Sequence, residues 1–172
     1  MIFIGLGANL PSATFGAPLR TLAAALERLD RDGVRVAQCS SWYESAPLPA
    51  STQPWFVNAV ALLETALAPA DLLALLLRVE SALGRQRGER WAARTVDLDL
   101  LAYDEHTIGW SGTQATDGPL VLPHPRLHLR AFVLRPLAEV APSWRHPVFG
   151  STAADMLRDL PPGQTVRQLP EP

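Results

Sequence analysis

Polar and apolar residues alternate from Thr95 to Leu101, and this alternation predicts a β-strand with one buried face. On such a strand Asp97 and Asp99 point to the same side, and the apolar residues between them face a core. Same-face positions lie about 6.5–7 Å apart, so two anionic carboxylates there repel each other unless a cation lies between them. Carboxylate oxygens are ligands that Mg²⁺ prefers, and substrate phosphates often complete its coordination. The strand therefore predicts a magnesium site for a phosphate-bearing substrate.

A basic loop precedes this strand directly. The guanidinium group of arginine matches the geometry of phosphate. An acidic pair beside a basic loop suits phosphoryl transfer, because catalysis there consists mostly of positioning and charge neutralisation. An Asp-x-Asp pair alone is more often an exposed strand face, and the adjoining loop is what favours the catalytic interpretation. The charged and aromatic residues of the loop that carry this interpretation are Arg85, Arg87, Arg90, Trp91 and Arg94.

A family resemblance becomes specific in residues 84–99. The stretch reads Gly84-Arg85-Gln86-Arg87-Gly88-Glu89-Arg90-Trp91-Ala92-Ala93-Arg94-Thr95-Val96-Asp97-Leu98-Asp99. It resembles the signature of the 6-hydroxymethyl-7,8-dihydropterin pyrophosphokinase family. A second segment resembles another block of the same family, namely Pro123-His124-Pro125-Arg126 followed by Arg130-Ala131-Phe132. The resemblance implies transfer of the β,γ-diphosphate of ATP to 6-hydroxymethyl-7,8-dihydropterin, which yields AMP and the pterin diphosphate in tetrahydrofolate biosynthesis.

The resemblance also implies roles for individual residues. Catalysis is expected to involve Arg85, Arg94, Asp97 and Asp99. Contacts to ATP are expected from Arg85, Arg87, Trp91, Arg94, His124 and Arg130. Contacts to the pterin are expected from Ser45, Leu48, Phe56, Asn58, Trp91, Asp97 and Phe132. Two Mg²⁺ ions are expected on Asp97 and Asp99, with ATP as co-substrate, and Trp91 is expected to act as part of a lid.

The pattern around Phe56 and Asn58 supports a heterocycle site. The two residues share one face of a predicted strand, where an aromatic ring lies beside an amide that both donates and accepts hydrogen bonds. This suits a flat ring with a polar edge, although strand aromatics are usually core residues. The preceding loop, residues 44–55, is rich in proline and serine and long enough to form a lid or pocket wall.

The order strand, helix, strand, strand, helix, strand predicts an α+β, ferredoxin-like βαββαβ fold with an antiparallel sheet and a C-terminal extension. The strands are predicted at 2–6, 34–43, 56–63 and 95–101, and the helices at 19–29 and 70–83. We expect the helices to pack on one face and the site to lie on the other. Pro136 is expected to break a later helix at 133–140. A single domain is expected over residues 1–160, followed by a proline-rich, poorly ordered tail at 161–172.

Composition excludes several functional classes. The chain has 172 residues, 48% of them hydrophobic, which is typical of one ordinary globular domain. Its net charge of −2 argues against a nucleic-acid binder that works by bulk electrostatics. The sequence shows no signal peptide and no membrane-spanning stretch. We therefore expect a cytoplasmic monomer with small-molecule substrates and with neither nucleic-acid nor membrane partners.

Two other functions remain open. A nucleotidyltransferase also uses an Asp-x-Asp strand pair, but it requires a Gly-Ser or Gly-Gly turn upstream, where this chain has Gly84-Arg85. A non-catalytic RNA-binding module of the same fold would use Trp91 and the arginines for stacking and phosphate contacts. Asp97 and Asp99 on the same element would repel RNA. A test of RNA binding without Mg²⁺ would separate the RNA-binding module from the pyrophosphokinase.

Overall fold

The computed structural model describes residues 1–85 and 92–170. The first elements along the chain are β1 (Ile2–Ala8), α1 (Pro18–Arg31), β2 (Arg35–Cys39), β3 (Tyr43–Ser45), β4 (Phe56–Glu64), α2 (Pro69–Ala82) and β5 (Asp97–Tyr103). The remaining elements are β6 (Trp110–Ser111), β7 (Gln114–Ala115), a 3₁₀ turn (Leu127–Leu129), α3 (Ala131–Val140), α4 (Ala153–Arg158) and β8 (Val166–Gln168).

The main sheet has the strand order β5-β1-β4-β3-β8, with β2 pairing beside β3 along the same edge of β4. Each of these pairings is antiparallel. Strand β1 therefore lies between β4 and β5, and the two predicted crossover helices connect β1 to β2 and β4 to β5. The ferredoxin-like α+β fold expected from the sequence is confirmed, with β2 and β3 together in the place of the second strand.

The predicted single strand at 34–43 is wrong, because two strands occupy that stretch. Strand β2 pairs with the last residues of β4, whereas β3 pairs with its first residues. Between them the hydroxyl of Ser40 accepts a hydrogen bond from the backbone N–H of Val60, and the N–H of Ser40 donates to the Val60 carbonyl. A side chain thus takes the place of a ladder partner, and the regular strand is interrupted at this point.

Helices α1 and α2 pack on one face of the sheet. Both begin with proline, which suits the first helical position because its missing N–H has no partner there in any case. Their apolar stripes bury alternate residues of β1. The residues that share this core include Ile4, Leu6, Leu22, Leu29, Leu72 and Leu76. Burial of these side chains on a common face fixes which side of β1 and β5 points away from the helices.

The opposite face is partly covered by α3 and α4, so the expectation of helices on one face only is wrong for the C-terminal extension. Phe3, Val60 and Leu101 of the sheet pack there with Leu134 and Leu137 of α3. The predicted break at Pro136 is also wrong, because α3 continues through this buried proline. Proline removes one N–H donor from the helix, and the packing of α3 on the sheet compensates for that loss.

The expectation of a poorly ordered tail is wrong for residues 166–168. This segment is β8, which pairs with β3 and places Val166 opposite Ser45. Just beyond the strand, the backbone N–H of Leu169 donates to the carbonyl of Trp42. The tail therefore extends the main sheet by one edge strand.

The stretch 105–118 contains the β6–β7 hairpin. An antiparallel bridge between Ile108 and Leu122 closes it. The indole N–H of Trp110 donates to the carbonyl of Pro123, so the hairpin packs against the start of the second family-like segment. Within residues 1–85 and 92–170, no helix is long and apolar enough to cross a bilayer.

We predict that Thr152→Ala lowers the free energy of unfolding by about 1 kcal/mol. Thr152 and Asp155 form a reciprocal capping box at the start of α4, and alanine removes the hydroxyl that accepts from the Asp155 N–H. Urea denaturation measures the change. Thr152→Ser keeps the hydroxyl and serves as the control, so equal losses in both variants would contradict the assignment.

Candidate active site

One cleft collects most of the residues that the sequence singled out. It lies on the sheet face that α3 covers only in part, next to the first residues of β5. The predicted residues that line it are Ser45, Leu48, Phe56, Asn58, Arg94, Asp97, Asp99, Arg130 and Phe132. Its walls come from four parts of the chain, namely β3 with its following loop, β4, β5 and the start of α3.

The floor of the cleft is made by Gly5 and Gly7 of β1. Gly7 lies opposite Asn58 of β4 on one side and Asp97 of β5 on the other, and Gly5 lies opposite Asp99. The strand predicted at 2–6 extends to Ala8, so both glycines lie within β1. Without side chains at the two positions, the backbone of β1 stays open between the polar groups of its neighbours.

The end of α2 places Arg85 beside a buried acid. Gly84 has a φ of 85° and ends the helix, with its N–H bonded to the Ser81 carbonyl and the N–H of Arg85 bonded to the Glu80 carbonyl. This is a Schellman motif, in which the backbone N–H of the residue after the glycine bonds to a carbonyl in the last turn of the helix, here that of Glu80. A hydrophobic pair often occupies these two positions, but here Arg85 forms an ion pair with Glu80.

Glu80 is 3% exposed, and its carboxylate also accepts from the backbone N–H of Leu98 at 2.7 Å. It therefore joins α2, Arg85 and β5. Burial is the main reason that the pKa of Glu80 rises to about 7, and the hydrogen bond from Leu98 and the charge of Arg85 oppose the rise. Glu80 is not among the site residues expected from the sequence. Its spacing of four residues from Leu76 on the apolar stripe was the signal that it is buried.

Two arginines hold the Asp97 carboxylate. Nη1 of Arg85 lies 2.6 Å from one carboxylate oxygen, and Nη1 of Arg94 lies 2.6 Å from the other. Asp99 is more open, with 39% of its side chain exposed, and Nη1 of Arg130 lies 3.7 Å from it. Burial and the charge of Asp99 raise the pKa of Asp97, and the two guanidinium groups oppose that rise. The site thus contains two adjacent acids, and arginines compensate their charge.

Asn9 fixes the position of Arg94, a role that the sequence interpretation did not assign. Its side-chain oxygen accepts from the backbone N–H of Arg94 at 2.8 Å, and the Asn9 backbone N–H donates to the Arg94 carbonyl. Its side-chain nitrogen donates to the side chain of Gln53 and to the carbonyl of Pro54. Asn9 is 3% exposed, so these contacts tie the loop before β4 and the segment before β5 to the end of β1.

Ser45 and Asn58 form a buried polar pair at the other end of the cleft. The Asn58 amide nitrogen donates to the Ser45 hydroxyl at 3.0 Å, and both residues are at most 3% exposed. A Cβ on Gly7 would lie 3.6 Å from the Asn58 side-chain oxygen, so that oxygen lies over the glycine floor. The bond to Ser45 therefore sets the orientation in which Asn58 presents an acceptor to the cleft.

His124 is held by the backbone in one tautomer. Its ring Nδ1 accepts from the backbone N–H of Arg126 at 3.1 Å, and the backbone N–H of His124 donates to the Leu101 carbonyl. Burial first, and then the charges of Arg130 and Arg126, lower the pKa of His124 to about 4. The ring is therefore neutral at physiological pH and carries its proton on Nε2. His124 does not line the cleft described above, and its expected contact with ATP stays a prediction.

The donor groups fit Mg²⁺ in type. Asp97 and Asp99 supply hard carboxylate oxygens from one face of β5, and Mg²⁺ commonly takes one or two such ligands together with substrate phosphates. In residues 1–85 and 92–170, no group of three or more histidine, cysteine, aspartate or glutamate side chains converges on one point. Mg²⁺ bound here would complete its coordination with water or with oxygen atoms of a substrate. Arg87 and Trp91, two further predicted contacts, lie outside the described residues.

Comparison with known proteins decides the family. The profile of the 7,8-dihydro-6-hydroxymethylpterin-pyrophosphokinase (HPPK) family matches residues 3–142. This chain belongs to the HPPK family. The resemblance that was read from residues 84–99 and 123–132 is confirmed.

Relatives in the HPPK family match along nearly the whole chain. A 2-amino-4-hydroxy-6-hydroxymethyldihydropteridine pyrophosphokinase from Methylorubrum extorquens is 40% identical over 161 residues, which cover 93% of each chain. The enzyme of the same name from Pseudomonas aeruginosa is 42% identical over 148 residues, which cover 85% of this chain and 83% of the relative.

The fold agrees with solved HPPK structures. The HPPK-DHPS protein of Plasmodium falciparum, crystallised with pteroate, superimposes with a TM-score of 0.66 at 12% sequence identity. The match covers 91% of this chain and 43% of the Plasmodium chain, so this chain spans less than half the length of that protein. At this identity the comparison supports the ferredoxin-like fold alone.

We predict that stability of the wild type falls relative to Glu80→Gln as the pH rises. Glu80 has a reference pKa of 4.5, and its pKa in the fold is about 7, so the folded protein binds this proton more tightly than the unfolded chain. The wild type therefore loses stability as the pH rises through this window, by at most about 3 kcal/mol, whereas glutamine does not titrate.

Urea denaturation at about pH 5 and about pH 8 measures this difference between the two proteins. Glu64→Gln, which removes an exposed carboxylate that pairs with Arg35, serves as the control. A difference in stability between wild type and Glu80→Gln that is the same at both pH values would contradict the buried, proton-binding state of Glu80.

Proposed function

We propose that this chain transfers the β,γ-diphosphate of ATP to the hydroxymethyl group of 6-hydroxymethyl-7,8-dihydropterin, with release of AMP. As a member of the HPPK family, it is a pyrophosphokinase of folate biosynthesis. The observation that carries the proposal is the cleft itself. There the paired acids Asp97 and Asp99 lie in one cavity with two phenylalanines and a buried amide.

The end of the cleft near Asn58 suits the pterin. The amide oxygen of Asn58 lies over the floor at Gly7, where it can accept from the N–H groups of an aminopyrimidine edge. Phe56 and Phe132 line the same cavity and offer aromatic surface for a flat ring. Ser45 contributes by orienting Asn58 through their hydrogen bond, and Leu48 adds apolar surface at the rim.

The acidic end suits the diphosphate. In the structure Arg85 and Arg94 neutralise Asp97, and Arg130 lies near Asp99. We propose that these arginines turn to phosphate oxygens when ATP binds, because a phosphate offers the guanidinium group the same paired geometry as a carboxylate. The same side chains then stabilise the negative charge that develops as the bond between the α- and β-phosphates breaks.

The release of Asp97 from its arginines frees its carboxylate for a cation. We propose that Asp97 and Asp99 hold two Mg²⁺ ions together with the phosphates of ATP. Bound Mg²⁺ would neutralise the phosphate charge and make the β-phosphorus a better electrophile. Asp97 lies opposite Gly7, at the border between the two ends of the cleft, and there it can also orient the hydroxymethyl group for in-line attack.

Several expectations extend this proposal. Arg87 would add a phosphate contact, and Trp91 would form part of a lid. The lid would exclude water, which would otherwise hydrolyse ATP. His124 would donate from Nε2 to a phosphate oxygen, in the tautomer that the Arg126 backbone sets. A monomer in the cytoplasm, without nucleic-acid partners, completes the proposal.

We predict pterin-dependent AMP formation from ATP and Mg²⁺ by the wild type, and its loss in Asp97→Asn. Asparagine keeps the size of the side chain and removes the charge that the cation and the arginines require. Chromatography of the nucleotides, with and without 6-hydroxymethyl-7,8-dihydropterin, separates AMP from ADP. Asp104→Asn, a change at an exposed aspartate that pairs with the N-terminus, is the matched control.

The products separate the alternatives. Formation of ADP in place of AMP would identify an ordinary kinase. Absence of nucleotide turnover by folded wild-type protein, together with Mg²⁺-independent binding in an RNA gel shift, would overturn the proposal in favour of the RNA-binding module.

We also predict that Gly7→Ala folds normally and binds the pterin at least about tenfold more weakly. A Cβ at this position would meet its nearest atoms at 3.6 Å from Asn58 and 3.9 Å from Asp97, which are ordinary contacts. The methyl group would nevertheless occupy the cleft floor where the ring is placed. Fluorescence titration with the pterin measures affinity, and thermal denaturation checks the fold. Unchanged affinity would place the ring elsewhere.

A further inference from the structure

Helix α3, whose first residues line one end of the cleft, has no capping hydrogen bond from its own N-cap side chain. The first N–H groups of a helix lack partners within it, and a side chain that accepts hydrogen bonds usually satisfies one of them. At the N-cap position of α3 the chain has Arg130, whose guanidinium group only donates. Arg130 instead points towards the cleft, where it lies near Asp99 and stacks on Phe132 with Cζ 5.5 Å from the ring centroid.

A glutamine of the C-terminal segment supplies the missing partner. The Gln164 side-chain oxygen accepts from the backbone N–H of Ala131 at 2.8 Å, and its side-chain nitrogen donates to the carbonyl of Leu129 at 2.9 Å. The two backbone groups flank Arg130 on either side. One amide group therefore uses both its donor and its acceptor to fix the backbone from which the Arg130 side chain projects.

The same segment also holds the opposite wall of the cleft. The carbonyl of Thr165 accepts from the N–H of Ala46, and Val166 pairs with Ser45 in the β3–β8 ladder. Ala46 and Ser45 line the cleft together with Phe132. Successive residues of the C-terminal segment thus contact the chain on both sides of the proposed pterin site.

We infer that Gln164 is a positioning residue for diphosphate transfer: its amide fixes the backbone around Arg130, so that Arg130 and Phe132 meet their substrates in the correct place. This inference rests on the proposed function. Gln164 itself does not line the main cleft, and it acts through the residues that do.

The test compares Gln164→Leu, Gln164→Glu and the control Gln168→Leu in the full chain. Leucine keeps the approximate size and removes both hydrogen bonds, whereas glutamate keeps the acceptor for the Ala131 N–H. Gln168 lies on β8, four residues after Gln164, and donates to Ser41, so its replacement removes a hydrogen bond from the C-terminal segment without touching Arg130.

For Gln164→Leu we expect kcat/KM for the pterin to fall about tenfold, because small displacements of substrate-binding groups carry large rate costs. Gln164→Glu should recover part of this loss, and Gln168→Leu should match the wild type. A purely structural role would instead lower the unfolding temperature of both leucine variants alike, and kcat/KM of the folded enzymes would not change. Wild-type kcat/KM in Gln164→Leu would overturn the inference.

A second readout is independent of the reaction. Hydrogen exchange of the Ala131 amide should accelerate in Gln164→Leu and stay unchanged in Gln168→Leu, because only the first variant removes its acceptor. Unchanged exchange in Gln164→Leu would overturn the inference even if the enzyme is active. If exchange is faster in Gln164→Leu but the wild type makes no AMP, the proposed function is overturned and, with it, the catalytic part of the inference.

Discussion

The Asp97 carboxylate, held between Arg85 and Arg94, is the interaction on which the rest of the site depends. These arginines come from the two sides of the basic loop, so both sides are tied to the first residue of β5. The charges are matched at hydrogen-bonding distance, which offsets the cost of removing them from water. Under the proposed function, ATP and Mg²⁺ would replace every partner at once, since phosphate suits the arginines and a cation suits the carboxylate. The ion pairs thus hold the charged side chains of the candidate site in place in the absence of a ligand.

The cleft exists because the residues on one face of β1 change from a large aromatic to glycine along the strand. Phe3 is fully buried under α3 and packs edge-on against Trp144, with ring centroids 5.6 Å apart. Two and four residues further along the same face come Gly5 and Gly7, and the cleft opens there. A strand with period-two alternation can thus serve a core and a binding site on the same face, if large side chains give way to glycine.

Much of the fold followed from local patterns, whereas its remaining features depend on distant partners. Strands β1, β4 and β5 and helices α1 and α2 were predicted because each shows its own apolar period. The break between β2 and β3 depends on Ser40 meeting Val60, and β8 exists because Val166 meets Ser45. Periodicity within a segment contains no information about such pairings. The candidate site divides in the same way. Motifs of the family supplied its charged and aromatic residues, whereas the contacts of Glu80 with Arg85 and Leu98 depend on how α2 packs against β5.

Arg130 shows that the N-cap preference of a helix can be overridden at a candidate functional site. Judged by N-cap preference alone, arginine is a poor choice because its guanidinium group accepts no hydrogen bond, and a threonine or aspartate would cap α3 without help. A capping side chain turns back to its own helix, however, and could not also reach towards Asp99. The chain resolves this conflict by supplying the cap from Gln164, a residue 34 positions later in the numbering. The capping of α3 and the proposed phosphate contact are thereby assigned to different side chains, and the cost of an unsuitable N-cap is offset by order in the C-terminal segment.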